Sequence, residues 1–357
     1  MGRNMSVDAA LPEMALPEVL TRSAQHTDEV LAKLKAGLTR RLGSNYDAAI
    51  GEHTTFILTG SGGRGEMTAG SDIDGYVVRT SGALDASDDA VILAATCGAL
   101  EEAGLPALDR DGEFLAMKAA SAVVDTLGST ADDHSNAFTL RMLFLLESRP
   151  LLGQPAYDAF FKTVSGVYRA TAGDYAKSFQ PFFLVNDIIR YWRTVLLNHE
   201  NRLRKKQEEL IAEGLSGTEL TKVLLAHRRY RSQKLAFPRC LSCFSALAYL
   251  LALAPEDGDA ITAEHERELF DLTPIGRLQR VGAIQPTMSA RVQTMLELYA
   301  GYMERTDTDK KRVLANLRRE DSYQRSTSET GRRFTEEMFQ LIQGLGRGNR
   351  LHRSMLI

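Results

Sequence analysis

Hydrophobic positions recur along this chain with two different periods, and the change between them divides it. Over residues 27–42, Val30, Leu31, Leu34, Leu38 and Leu42 fall at three- and four-residue spacing, which predicts a helix. Phe56-Ile57-Leu58 is a short apolar run ending at Gly60 and predicts a strand that enters a glycine turn. Ile73 to Val78 predicts a second strand. Residues 90–103 predict a helix that stops near Gly104 and Pro106. Residues 113–117 suggest a third strand, with Val123-Val124 a further candidate. Residues 1–25 hold prolines and little periodicity and read as an arm or a short first helix.

After about residue 135 the helical period dominates, over 138–147, 157–167, 175–203, 220–226, 235–254, 291–303 and 333–345. Strand signals are scarce there, and 306–311 and 322–331 are polar enough to be loops. The expected class is α+β, with an α/β domain over 1–135 and a mostly helical domain over 136–357. A length of 357 residues agrees with two domains at roughly 150 residues each.

Composition adds bounds. Hydrophobic residues make up 44% and charged residues 25%, ordinary for a globular protein. No run reaches the roughly 18 apolar residues of a membrane span, and the stretch 244–254 reads as a buried helix, so no membrane partner is expected. The start lacks the basic-then-apolar order of a signal peptide, which points to the cytoplasm. Cys97, Cys240 and Cys243 cannot form a disulfide framework, and the last two read as small side chains packed in a helix. The net charge is −3 but unevenly spread. Residues 202–206, 228–234, 318–333 and 347–353 are basic, a pattern that suits phosphates or RNA as well as solvated helix faces.

Candidate chemistry concentrates in Gly60-Ser61-Gly62-Gly63-Arg64-Gly65-Glu66 and the following Ser71-Asp72-Ile73-Asp74. Asp72 and Asp74 stand at alternate positions and project to one side of a strand, while Ile73 packs behind. Two adjacent carboxylates suit Mg²⁺ (or Mn²⁺), which is commonly held by one or two carboxylates plus substrate phosphates. The glycine-rich turn offers backbone N–H groups to an anion. Together they point to transfer of a nucleotide.

This segment resembles the DNA polymerase β-like nucleotidyltransferase superfamily, and within it the nucleotidyltransferase domain of bacterial uridylyltransferases that act on PII proteins. Gly63-Arg64-Gly65-Glu66 and Ser71 to Asp74 fill the places of that domain's motif. The resemblance implies a small mixed sheet backed by helices. It further implies an NTP held by Gly60, Ser61, Gly63, Arg64, Gly65 and Ser71, with metal ions on Asp72 and Asp74. A third carboxylate is expected from a neighbouring strand, with Glu113 favoured over Asp111, Asp109 and Asp125. The His-Asp doublet and the regulatory domains of those uridylyltransferases are missing, so nucleotide removal and glutamine sensing are not carried over.

Basic residues of the helical part, Arg190, Arg193, Lys234 and Arg239, are candidates for triphosphate or acceptor contacts. Arg141 and Arg149 flank an apolar helix and read as anchors to the first domain, and Trp192 reads as core. The expected activity moves an NMP from an NTP to a hydroxyl of a protein, an RNA or a small molecule, with release of pyrophosphate. A protein acceptor fits the turn best, and an RNA acceptor fits the basic helices. The alternative is a non-catalytic nucleotide-binding module or a toxin–antitoxin partner, to which the Arg193-to-His199 spacing alone lends weight. Apolar helices in excess of one small core leave room for a homodimer.

Overall fold

The structure is a computed structural model that describes residues 14–68, 70–108, 115–175, 177–254, 260–319 and 321–355. Its strands form one mixed sheet in the order β3-β2-β1-β4. β1 (Thr54–Thr59) is antiparallel to both β2 (Asp74–Arg79) and β4 (Arg149–Leu152), and β3 (Lys118–Ala119) is parallel to β2. β1 is buried along its whole length, as expected of a central strand covered on both faces. The two-residue pleat sorts its side chains. Ile57, Tyr76 and Val78 enter one core, while Phe56, Leu58 and Val77 enter the other.

The second core lies under α1 (Glu18–Leu42), α2 (Tyr46–Ala49) and α4 (Ala86–Glu102), while α3 (Gly60–Arg64) is the turn that leaves β1. The first core is shared with the helical region. It takes in α5 (Ala120–Val124), α7 (Ala137–Glu147) and α8 (Gln154–Tyr168), with α6 (Thr130–His134) alongside. α9 (Phe182–Ala212) and α10 (Gly217–Lys234) are long and largely polar. α11 (Cys240–Leu253) is buried at 12 of its 14 positions, so it is the axis of this region and not a surface helix. Around it lie α12 (Ala263–Asp271), α13 (Pro274–Ile284), α14 (Ser289–Thr306), α15 (Lys310–Arg319), α16 (Asp321–Gly346) and α17 (Arg350–Ser354).

A π-helical turn, Leu235–Arg239, joins α10 to α11 and contains Pro238. Proline has no N–H to give to the preceding turn, and the wider register absorbs that loss without ending the helix. By length and composition Gly217–Leu253 is the one helix among the described residues apolar enough to cross a membrane, but 78% of its apolar window is buried inside the protein. Cys240 and Cys243 pack within it as free thiols, and burial pushes the Cys240 thiol up to about 12.

The α+β class holds, and several elements differ from the pattern-based expectation. α1 starts at Glu18, directly after Pro17, because Val19 and Leu20 have a core to enter. The strand expected over 113–117 is not found, since 115–117 are not extended into a strand and 113 and 114 lie outside the described residues; the two-residue β3 follows at Lys118, and Val123-Val124 is helical. β4 was not expected; it is four residues long and contains Pro150. It follows residue 135, so the sheet draws a strand from the mostly helical part of the chain. The helix expected from 175 begins at Phe182, after Pro181, because the segment before it is a series of hydrogen-bonded turns. Residues 322–331 belong to α16, where the buried Thr327 gives its hydroxyl to Tyr323 O and Gln324 O.

Arg141, fully buried on α7, ties five helices together. Its guanidinium donates to Asp132 (3.0 and 2.9 Å), Val123 O (2.8 Å), the Tyr168 hydroxyl (2.8 Å) and Asp187 (3.3 Å). Trp192 meets Phe244 edge-on at 5.3 Å, against the core. Replacing Arg141 by Met strands two carboxylates with reduced compensation. We expect a loss of about 3–5 kcal/mol in urea denaturation. A loss below about 1 kcal/mol would show that this network is not structural.

Candidate active site

β1 delivers the chain to the glycine turn. Thr59 pairs with Asp74, so the last residue of β1 and the first of β2 stand side by side. Gly60 follows with φ +61°, and a Cβ there would lie 2.6 Å from Asp74 Oδ2. Both the backbone angle and the close approach require glycine. Gly63 is required by space alone, since its Cβ would fall 2.0 Å from Glu147 O and 3.0 Å from Leu58 O. The N–H groups that open α3, from Gly60 to Gly62, have no partner within that helix. Those of Gly65 and Glu66 are already taken by Ser61 O.

Asp72 lies in the segment just before β2, and Asp74 is the first residue of the strand. Both are exposed, and neither has an ion-pair partner among the described residues. The Asp74 carboxylate nevertheless sits among protein atoms at the mouth of the turn. That partial desolvation, and then the charge of Asp72, raises its pKa. Among the described residues no cluster of three or more His, Cys, Asp or Glu side chains could hold a metal alone. Two free carboxylates beside a phosphate-sized cradle fit Mg²⁺, which takes much of its shell from water and substrate oxygens. Glu113, with Asp109 and Asp111, lies outside the described residues.

Behind the turn is a buried ionic knot. Glu147, the last residue of α7 and 3% exposed, accepts from Arg64 Nη1 (2.8 Å), Arg239 Nη1 (2.8 Å) and Ser242 Oγ (2.6 Å). Arg64 Nε donates to Glu66 at 2.7 Å. Desolvation alone would raise the Glu147 pKa. The guanidinium groups of Arg239 and Arg64, with the Ser242 hydroxyl, overcome that and hold it at about 2. Glu66 moves the other way, because burial outweighs Arg64 and the Tyr299 hydroxyl, and the charge of Glu147 adds to it. Arg277 donates to Leu145 O and Leu146 O and so closes the end of α7 that carries Glu147.

Residues 17–118 match the model of the family DUF294, described as "Putative nucleotidyltransferase". This segment is therefore nucleotidyltransferase-like, and it contains the turn and both aspartates. No curated protein and no solved structure gives a significant match. The DUF294-like segment ends at the first residue of β3, so β4 and Glu147 come from outside it.

The structure brings Gly60, Ser61, Gly63, Asp72 and Asp74 together. Ser71 shapes the loop between them by accepting from Thr68 N at 2.9 Å. Arg64 is turned inward: its guanidinium serves Glu66 and Glu147, so a phosphate contact by that side chain does not fit its geometry. Arg190 pairs with Asp132, Asp133 and Asp187 and lies over the Phe138 ring. It lines a hollow of about 340 Å³ that includes no residue of the turn or acid pair. Lys234 is exposed on α10, 5.1 Å over Tyr230, and does not touch the turn. Arg239 is the basic residue of the helical region that the structure places at the site. It touches Glu147, interacts with Asp74, and keeps 33% of its side chain exposed. Glu147 was missed. Its one signal is a carboxylate closing the apolar run from Met142 to Leu146, which needs a buried partner.

Glu147→Gln tests the knot. The folded pKa is depressed from 4.5 to about 2, so the stabilisation is fully present above pH 4.5. It falls as pH drops from 4.5 through 2. Wild type should exceed the variant by about 3 kcal/mol at neutral pH, with the gap closing across that window. A gap independent of pH would refute the ionised state of Glu147.

Proposed function

We propose that this protein is a Mg²⁺-dependent nucleotidyltransferase that moves an NMP from an NTP to a hydroxyl and releases pyrophosphate. One observation carries the reading: the Thr59–Asp74 register sets the unpaired N–H groups of α3 against two unpaired carboxylates. The nucleotidyltransferase likeness of residues 17–118 supports the general chemistry.

In this reading the N–H groups of Gly60 to Gly62 and the Ser61 hydroxyl receive the triphosphate, whose charge they complement at a helix N-terminus. Asp72 and Asp74 hold the metal. Bound there, Mg²⁺ neutralises charge on the leaving phosphates and orients the α-phosphoryl group. The acceptor oxygen bonds to the α-phosphorus, the bond from that phosphorus to the bridging oxygen breaks, pyrophosphate departs and the hydroxyl proton passes to water. Arg239 adds positive charge beside the acid pair, from the side of the helical region. Glu147 and Arg277 keep the turn and this arginine in register without touching substrate. The likeness of the turn to uridylyltransferases of PII proteins favours a protein hydroxyl as acceptor, and the charge distribution of the helical region favours a nucleic acid.

Asp72→Asn and Asp74→Asn are expected to reduce release of pyrophosphate from labelled NTP by on the order of 10³-fold. Unfolding free energy should stay within about 0.5 kcal/mol of wild type, because both side chains are exposed. Equal turnover in wild type and the two variants would refute the assignment. Tight NTP binding with no pyrophosphate release by wild type would mark a binding module instead.

A further inference from the structure

α9, α10 and α15 form a small lobe, in which α10 and α15 share their own apolar contacts through Ala226, Val313 and Leu317 and α9 packs beside α10. Its surface charge is one-sided. After Glu219 the sequence has no carboxylate until Glu256, while Lys222, Arg228, Arg229, Arg231, Lys234 and Arg239 follow one another. Four carboxylates in and beside these helices are engaged, Glu208 with Arg204, Glu209 and Glu213 with Lys206, and Glu219 with Arg318, while Glu200 faces solvent beside His199. Arg202, Arg228, Arg229, Arg231, Lys310 and Arg312 have no carboxylate at ion-pair distance among the described residues. These cations crowd one another. His227, pushed down first by burial, is further depressed by Lys206, Arg231 and Lys310, and the guanidinium of Arg231 is lowered by burial and by Arg202. Such uncompensated crowding costs stability in the isolated protein, and a polyanion relieves it.

The patch leads to the candidate active site. Gly70, in the loop between the glycine turn and Asp72, would place a Cβ 3.2 Å from Thr308 O and 3.5 Å from Asp309 Cα, next to Lys310. Lys310 and Lys234 flank the Tyr230 ring at 6.0 and 5.1 Å. One π-helical turn beyond Lys234 is Arg239, which interacts with Asp74. From Arg228 to Arg239 the helix covers about 16 Å, the length of a few nucleotides.

We propose that this face of α9, α10 and α15 binds a single-stranded RNA whose terminal hydroxyl is the acceptor of the nucleotidyl transfer. The proposal rests on the transferase reading above. The run of cations on α10 and the π-helical turn from Arg228 to Arg239, which no carboxylate interrupts in sequence, matches a chain that repeats one negative charge more closely than it matches a protein surface of mixed sign. RNA is chosen over DNA because an unpaired end with a free hydroxyl is its ordinary state. The terminal oxygen bonds to the α-phosphorus, the bridging bond breaks, pyrophosphate leaves and the proton goes to water.

The test uses the full-length protein and a labelled 20-nucleotide RNA of mixed sequence, with a matching DNA and anionic phosphatidylserine vesicles as further arms. Fluorescence anisotropy across a salt series reads binding, and incorporation of labelled NTP reads transfer. Arg228→Gln/Arg231→Gln/Lys310→Gln should weaken RNA binding about tenfold or more and lower the salt slope by about 2, at about 0.7 per lost phosphate contact. NTP binding and circular dichroism should be unchanged in that variant. Asp72→Asn/Asp74→Asn should bind RNA normally and transfer nothing. Binding to vesicles or DNA in preference to RNA overturns the proposal, as does transfer to a protein while bound RNA stays unlabelled. RNA bound on this face with no transfer to any acceptor overturns the transferase reading and leaves the binding surface supported.

Discussion

Glu147 is the constraint on which the candidate site depends. A carboxylate this deeply buried is tolerated only with full compensation, because desolvation of an unpaired charge costs several kcal/mol. Its three partners come from three places. Arg64 belongs to the glycine turn, Arg239 to the π-helical turn, and Ser242 to the central helix α11. Satisfying one charge therefore fixes the turn against the helical region. Gly63 and Arg277 serve the same junction, the first by letting the turn approach Glu147 O and the second by occupying the carbonyl groups before it.

This arrangement divides the glycine-rich segment into a front and a back. Gly60 and Ser61 present backbone donors beside Asp74, whereas Arg64 and Glu66 face into the protein. The arginine in the middle of an apparent phosphate motif is thus part of the scaffold. The π-helical turn performs a related task on the other side. It accommodates Pro238 within a continuous helix and sets Arg239 at the boundary between the buried knot and the acid pair.

Much of this fold was legible wherever one local period decided the outcome. β1 and β2 were legible as short apolar runs with a core on each side, α1 by its three- and four-residue apolar spacing, and α11 as a longer apolar run. β3 and β4 were not legible, because strands of two and four residues hold no full period and are fixed by pairing with neighbours. The second half of α16 was read as a helix over 333–345, and its first half escaped because it buries few side chains, Thr327 among them. At the site, Asp72 and Asp74 were visible because turn and acid pair are neighbours in sequence. Glu147 was not, since it lies 83 residues from Arg64 and nothing local connects them. Arg190 was chosen for its charge and its place on a helix, and three nearby carboxylates claim it.

The same knot also accounts for the free state of the acid pair. Arg64 and Arg239 both act on Asp74 and pull against the desolvation that raises its pKa, yet the ion pairs they form are with Glu147 and, for Arg64, also Glu66. Without that buried carboxylate, Arg239 would stand beside Asp74 with no other carboxylate to bind, and Arg64 would keep Glu66 alone. Ion pairing there would occupy the oxygens that a divalent cation needs. By drawing the arginines inward, Glu147 leaves Asp72 and Asp74 exposed and mutually repelling. A pair of like charges in that state gains most from an added cation, because binding removes their repulsion as well as forming new attractions. The stability of the scaffold and the availability of the two carboxylates follow from one choice of partners.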